Sequence, residues 1–431
     1  MTFRDSRLSL FARRLRAFLA IHGPGRLAAA AWCVARGKPL SMLANDGRRH
    51  DPGEWACRPE DQGPPLGTAS PVRTIAFYLP QFHPIAENDR WWGEGFTEWH
   101  NVARARPAYP GHCQPDLPGA LGFYDLRLPE TLRRQTELAA HHGLGGFCFH
   151  YYWFNKTRLL EQPLELFLAD KRCDLPFCLN WANENWTRRW DGQEREILLR
   201  QHYSPEDDRA MMTDLLRYFA DPRYIRVEGR PLLLVYHAGL LPDAAATLER
   251  WRQVCAAAGE KAPYCVMVQS FANRDPRPAG FEAAVQFPPH AAHLPLGLTT
   301  TRVAGISPGF RGRTIAYEEL ARQTLAGLDA PFPTFPCVCP GWDNTPRRGE
   351  KATIFVGATP NRYADWLGRA CRHALSVLPG DRALVFVNAW NEWGEGAHLE
   401  PCRNWGYAFL NATTRTLARL APASTQPGPE A

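Results

Sequence analysis

A parallel α/β fold, a closed TIM-like (β/α)8 barrel with a long loop after its first strand and a helical arm ahead of it, is what this sequence predicts. Three observations carry that expectation. From Val72 onward short apolar runs alternate with helical patterns; the runs number eight; and each is apolar along its whole length, as strands are when a parallel sheet is covered on both faces. The runs are Thr74 to Leu79, Gly145 to Phe149, Pro176 to Asn180, Leu232 to Tyr236, Tyr264 to Gln269, Ala283 to Phe287, Thr334 to Cys339 and Ala383 to Asn388. Helical periodicity falls near 129–142, 206–219, 244–258, 316–327, 361–377 and 407–419. An open doubly wound sheet is the competing arrangement. Its common nucleotide-binding forms are removed, because no Gly-x-Gly-x-x-Gly turn follows the first run and no Gly-x-x-x-x-Gly-Lys-Ser/Thr loop occurs.

Taken in order, residues 1–44 read as a basic amphipathic arm. Leu8, Phe11, Leu15, Phe18 and Leu19 share one helical face over residues 7–21, while Arg7, Arg13, Arg14 and Arg16 fill the rest. The apolar stretch from Ala17 to Ile21 is too short for a signal-peptide core, and Gly23-Pro24-Gly25 ends it. Residues 7–21 therefore suit peripheral contact with an anionic inner-membrane leaflet, or packing on the body or a partner protein. Residues 45–71, rich in Pro, Gly and charge, read as a linker, 72–420 as the barrel, and 421–431 as a disordered tail. The first fifty residues hold ten of the 50 basic side chains and two of the 44 acidic ones, so the +6 charge is local and the body is nearly neutral. A nucleic-acid groove is not expected on such a body. The 12 Cys are scattered, and Cys148, Cys178, Cys265, Cys337 and Cys339 lie inside apolar runs, so free buried thiols in the cytoplasm are expected. Without a Cys-x-x-Cys pair, and with no His beside Cys337 and Cys339, neither metal nor cofactor is expected.

The chemistry of a barrel lies at the carboxyl ends of its strands. The chain has 15 Trp, 13 Tyr and 22 Phe, and its Trp gather in polar company at those ends. The first run leads into Pro80-Gln81-Phe82-His83-Pro84 and a long loop carrying Asn88, Asp89, Trp92, Glu98, Trp99, His112, Gln114, Tyr124 and Asp125. The second ends His150-Tyr151-Tyr152-Trp153, the third Asn180-Trp181-Ala182-Asn183-Glu184-Asn185-Trp186, and the seventh Trp342-Asp343-Asn344. The eighth ends Asn388-Ala389-Trp390-Asn391-Glu392-Trp393-Gly394-Glu395-Gly396. Sugars present hydroxyls at the rim and C–H bonds on the faces, so amides, carboxylates and His at the edges with rings on the plane suit them. Asn88, Asp89, Trp92, Glu98, Trp99, His112, Gln114, Tyr124, Asp125, His150, Tyr151, Tyr152, Asn180, Trp181, Asn183, Glu184, Trp186, Asp343, Asn344, Trp390, Asn391 and Trp393 are accordingly the candidate substrate-binding residues. The fifth ends Gln269-Ser270 and the sixth near His290, so seven of the eight ends combine amides, carboxylates or His with a ring; packing between loops explains one or two such ends well and seven poorly. Single-stranded nucleic acid also stacks on rings but needs cations, and these loops supply few beyond Arg188, Arg189, Arg347 and Arg348.

Glu392 and Glu395 stand three residues apart just past an apolar strand, a spacing that can aim both at one cavity. Glycosidic cleavage requires a proton donor for the leaving oxygen and a second carboxylate as nucleophile, base or electrostatic partner. Ring-rich walls raise one carboxyl's pKa while hydrogen bonds keep the other ionised. His398 and Glu400, just beyond, suit an orienting role, and His83, His112 and His150 suit hydrogen bonding rather than metal binding.

The strings from Phe77 to Trp99, Gly146 to Trp153, Asn180 to Trp186 and Asn388 to Gly396 resemble the glycoside hydrolase family 99-like group, also labelled WbsX-like glycosyltransferases of bacterial surface-polysaccharide assembly. The resemblance spans about residues 72–415. It implies a (β/α)8 barrel in which Glu392 deprotonates the sugar's own 2-hydroxyl to give a 1,2-anhydro intermediate and Glu395 acts as acid, then base, with retention. Gly394 stands where the endo-α-mannosidase members have His. Three activities follow: cleavage of a surface polysaccharide or lipid-linked glycan, transfer in O-antigen or capsule assembly, or glycan binding on an inactive barrel. A sugar-nucleotide donor is harder to accommodate, since no Asp-x-Asp motif is present, although the four arginines can bind phosphate directly.

Overall fold

The structure, a computed structural model, describes residues 49–188, 193–271, 273–290 and 300–420. The expected arm and tail lie outside these residues. Nine parallel strands form a nearly closed barrel: β1 (Arg73–Tyr78), β2 (Gly146–Phe154), β3 (Phe177–Trp181), β4 (Arg230–Val235), β5 (Tyr264–Val268), β6 (Ala283–Val285), β7 (Thr334–Phe335), β8 (Cys337–Val338) and β9 (Leu384–Val387). Consecutive strands pair from β1 to β7; β8 pairs with β9, and β9 returns to β1. β7 and β8 are one strand interrupted at Pro336, which has no N–H to donate; its carbonyl still accepts from Phe386 N at 2.8 Å. The chain thus passes from β6 to β9 across Pro336, and the eight expected runs are the eight staves.

The helices are α1 (Ala86–Trp92), α2 (Trp99–Arg104), α3 (Pro129–His141), α4 (Gln162–Ala169), α5 (Pro205–Phe219), α6 (Ala244–Ala257), α7 (Tyr317–Ala326), α8 (Thr345–Arg348), α9 (Pro360–Val377) and α10 (Ala408–Ala418). Local chemistry sets their starts. Ser204, Asp243 and Thr359 accept from the N–H groups of Asp207, Ala246 and Arg362, and Pro129, Pro205 and Pro360 fill first-turn positions where no N–H is needed. Six helices match the predicted periods within two residues at each end. α1, α2, α4 and α8 are too short for a period to register. The barrel core is dry: Leu232, Leu233, Leu234 and Val235 of β4 are fully buried, as are Val385, Phe386 and Val387 of β9.

Residues 49–71 lie against the barrel. Glu60 exchanges backbone hydrogen bonds with Trp405 and Tyr407, Leu66 N donates to His141 O at 2.9 Å, and Asn411 receives Gly63 N at 2.8 Å. Cys57 is joined to Cys113, anchoring this segment to the first loop. Free buried thiols are found at Cys148, Cys173, Cys178, Cys255, Cys265, Cys337, Cys339, Cys371 and Cys402; Cys57 and Cys113 depart from that expectation. No described helix is long and apolar enough to cross a membrane.

Gly146 opens β2 where a Cβ would stand 2.8 Å from both Pro176 O and Ile225 Cδ1. Gly146→Ala is expected to cost about 1–3 kcal/mol in a urea titration, whereas Gly67→Ala, which meets nothing within 4 Å, stays within about 0.5 kcal/mol.

Candidate active site

Past β9 the chain forms a tight hairpin in which Asn391–Glu392 pairs antiparallel with Ala397–His398 around the turn Trp393–Glu395. Gly396 closes that turn at φ 60°, with Asp343 atoms 3.0 Å from where a Cβ would stand. The hairpin is fastened from behind. Asn391 receives Leu79 N at 2.8 Å and donates to Leu79 O at 3.0 Å, tying it to the end of β1. Trp393 Nε1 donates to Glu400 at 2.7 Å, and the same carboxylate takes Gln135 at 2.6 Å and Tyr124 OH at 2.8 Å. Burial pushes the Glu400 carboxyl up to about 7, against the pull of these three donors. His398 stacks on Trp393 with 3.7 Å between ring centres; its nitrogens meet Glu400 O and the Asp116 carboxylate, both at 3.0 Å. Asp116, His398 and Cys402 stand close enough for a metal, but hydrogen bonding already accounts for the imidazole.

Held this way, Glu392 and Glu395 face a guanidinium. Arg347 of α8 donates through Nη2 to Glu392 at 2.9 Å and through Nε to Glu98 at 2.9 Å, and its Nη1 pairs with Glu395 at 2.8 Å. Glu98, immediately before α2, is wholly buried and also receives Asn101 Nδ2 at 3.3 Å. Burial drives the Glu392 carboxyl up to about 8; Arg347 opposes this, and Glu395 and Glu98 reinforce it. Burial also works against the charge on Arg347, but Glu98, Glu392 and Glu395 outweigh it and hold the guanidinium well above its ordinary range. His150 is pushed down to about 4, first by burial and then by Arg347, so its ring is neutral at pH 7. A Cβ on Gly394 would lie 2.1 Å from Glu98 Oε1 and 2.7 Å from Arg347 Nε. The Glu98–Arg347 pair occupies the space a side chain there would need.

Both acids line a cavity of about 390 Å³ at the carboxyl ends of the strands, within the size range of small-molecule sites. Of the predicted binding residues, Asn88, Trp92, His150, Tyr152, Glu184, Trp186 and Asn344 line it. Asn180, behind His150, donates to its Nδ1 at 3.1 Å. Tyr151 and Trp181 point outward, to Asp214 of α5 and to Trp251 of α6. Asn183 braces the backbone of His237. Trp390 packs on Phe147, and Trp99 on Phe82, Tyr124 and Trp393, inside the framework. His112 and Gln114 both bond Asp343 Oδ2, at 2.7 and 2.6 Å, around a smaller neighbouring cavity. Ala108 N donates to His112 Nδ1, which leaves Nε2 to donate to Asp343. Asp89 caps Gly95 N, and Asp125 pairs with Arg127. Tyr124 and Asn391 belong to the support behind the hairpin.

The candidate binding residues omit several lining residues, although Trp91, His290 and Trp342 stand at the strand ends. Trp91 meets Trp186 edge to face at 5.7 Å, while Tyr236, Phe271, Phe287, His290 and Trp342 make a second aromatic wall after β4 to β8. Arg347 was visible only as half of an Arg-Arg pair suited to phosphate; its three ion pairs give that charge another use. The available signal was the ring content of each strand end.

The family described as Glycosyltransferase WbsX matches residues 74–413. An uncharacterized protein, WxcX, of Xanthomonas campestris pv. campestris is 48% identical over 356 residues, 83% of this chain and 51% of its own length. The chain thus spans about half the length of the curated relatives it matches. A glycoside hydrolase-like protein superposes with TM-score 0.53 at 13% identity, covering 85% of this chain and 99% of its own. The glycoside hydrolase family 99 endo-α-mannosidase of Bacteroides thetaiotaomicron does so with TM-score 0.51 at 16% identity, covering 83% and 100%. At such identities the superpositions speak for the barrel alone.

Asn391→Ala removes the partner of both Leu79 backbone groups in a dry place. It is expected to destabilise the protein by about 1–3 kcal/mol for each group left unpaired, read as a lower urea midpoint.

Proposed function

The chain belongs to the WbsX glycosyltransferase family, and on that premise we propose that this carbohydrate-active enzyme works with retention on glycosidic bonds of a bacterial surface polysaccharide or its lipid-linked precursor, using Glu392 and Glu395. One observation carries the reading: the two carboxylates meet on a single guanidinium in a ring-walled cavity. Oxygens bound to neighbouring nitrogens of one guanidinium stand close, so both acids can reach the same sugar ring. A module that only binds glycan has no use for paired buried acids, and this argues for catalysis over binding alone.

In the first step Glu392 takes the proton from the 2-hydroxyl, O2 attacks C1, and Glu395 gives its proton to the departing oxygen. In the second, Glu395 takes a proton from water or an acceptor hydroxyl, that oxygen opens the anhydro ring at C1, and Glu392 returns its proton to O2. Two inversions at C1 give retention, and no metal or cofactor takes part. The family description favours an acceptor sugar over water, and the same site serves both outcomes. Arg347 already faces three carboxylates, which makes it a poor seat for a diphosphate and favours a saccharide donor. A cytoplasmic site at the inner membrane, with residues 7–21 on the leaflet, suits a lipid-linked glycan.

The test is a panel of 4-nitrophenyl α- and β-glycosides with and without acceptor sugars, the product anomer being read by proton NMR. Glu392→Gln and Glu395→Gln are each expected to lower turnover by about 10²–10⁴-fold with unfolding midpoints kept; wild-type rates in either end the proposal. In the free enzyme the proton shared by the pair rests on Glu392, and the reacting form carries that one proton on Glu395 instead. The pair loses it as pH rises through about 8, so kcat/KM is expected to fall through that pH. A rise through about 8 would mean that the pair reacts without its proton and would end the assignment of Glu395 as the acid.

A further inference from the structure

We propose that Arg347 is the positioning residue of this site, fixing the separation of Glu392 and Glu395 and deciding which of them keeps a proton, and that Gly394 is the residue that admits it. The inference rests on Glu392 and Glu395 being the reacting pair. A guanidinium is a planar fork with donors in fixed directions, and here each of its three nitrogens meets a different carboxylate. Glu98, wholly buried and outside the cavity lining, takes Nε and so prevents the fork from turning. The two Nη atoms then point forward, and the spacing of the acids follows from the spacing of the nitrogens. A lysine ammonium, a single point charge, cannot reproduce this.

Three carboxylates around one cation leave the cluster with surplus negative charge, so one of them retains a proton. Facing Glu392 are Arg347 from α8, Glu98 from the turn before α2, Glu395 from its own hairpin and Tyr152 from β2, with His150 of β2 near Arg347. Arg347 is the cation that these groups share at Glu392, and its removal must favour the protonated acid. Gly394 completes the arrangement. Lying between the two acids in sequence, it presents bare backbone where a Cβ would stand 2.1 Å from Glu98 Oε1, so any side chain there expels Glu98 or Arg347.

The test needs no substrate: Glu392 is titrated by carboxyl-carbon NMR on glutamate-labelled protein, its resonance assigned by its loss in Glu392→Gln. In Arg347→Gln the titration is expected to move upward from about 8 by about 1–3 pH units, and Gly394→Ala is expected to shift it too, upward where Arg347 is displaced and downward where Glu98 is. Arg347→Gln strands Glu98 as a buried unpaired charge, so if that variant does not fold, the pair Glu98→Gln with Arg347→Gln is titrated instead. A folded variant lacking Arg347 whose Glu392 titrates as in the wild type overturns the proposal, and a lower unfolding midpoint without a titration shift marks Arg347 as merely structural. An unmoved titration in Gly394→Ala overturns the role given to that glycine. Should the glutamine variants of Glu392 and Glu395 be inactive while the Arg347 variants titrate as wild type, the proposed function stands and this inference falls. Should they turn over at wild-type rates, the proposed function itself is at fault.

Discussion

The Arg347 guanidinium, enclosed by Glu98, Glu392 and Glu395 and nearly cut off from solvent, is the interaction on which the organisation of the active end depends. Burying a cation costs several kcal/mol unless opposite charges and hydrogen bonds replace water around it. Here the replacements come from two other stretches of chain: the loop after β1 supplies Glu98 and the hairpin after β9 supplies the two acids. The cation itself arrives on α8, in the loop after β8. Each segment is individually an irregular connection. Together they are held because none can withdraw without leaving a charge unpaired.

Behind this cluster lies a second layer that determines where the hairpin points. Asn391 stitches it to the end of β1, and Glu400 gathers hydrogen bonds from Trp393, Gln135 and Tyr124. The aromatic wealth of the chain divides accordingly. Trp99, Trp390 and Trp393 build the dry frame of the loops, while Trp91, Trp92, Trp186 and Tyr152 line the cavity. Ring content alone does not separate the two groups, since both need large flat side chains beside polar ones.

The strands and the longer helices were legible because both follow local rules. Continuous burial wrote eight apolar runs, and proline and side-chain caps wrote the helix starts. The short helices α1, α2, α4 and α8 fell below the length at which a period can register. At the site, the strand ends were legible and the direction of each side chain only partly so. His150 and Tyr152 point into the barrel while Tyr151 and Trp153 point out to α5, because β2 stays extended to Phe154 and its side chains alternate past the expected end at Phe149. The same alternation turns Asn180 inward and Trp181 outward.

The amino-acid order determined a parallel eight-stave barrel and placed Glu392 and Glu395 at the mouth of its last strand, because secondary structure and the carboxyl-end location of loops depend on residues near in sequence. Tertiary structure alone decided that Arg347, 45 positions before Glu392, joins both acids to Glu98, and that Gly394 leaves the room for it. The physical reason is that electrostatic pairing depends on distance in space. Loops far apart along the chain become neighbours only once the sheet has closed and turned their ends toward one axis.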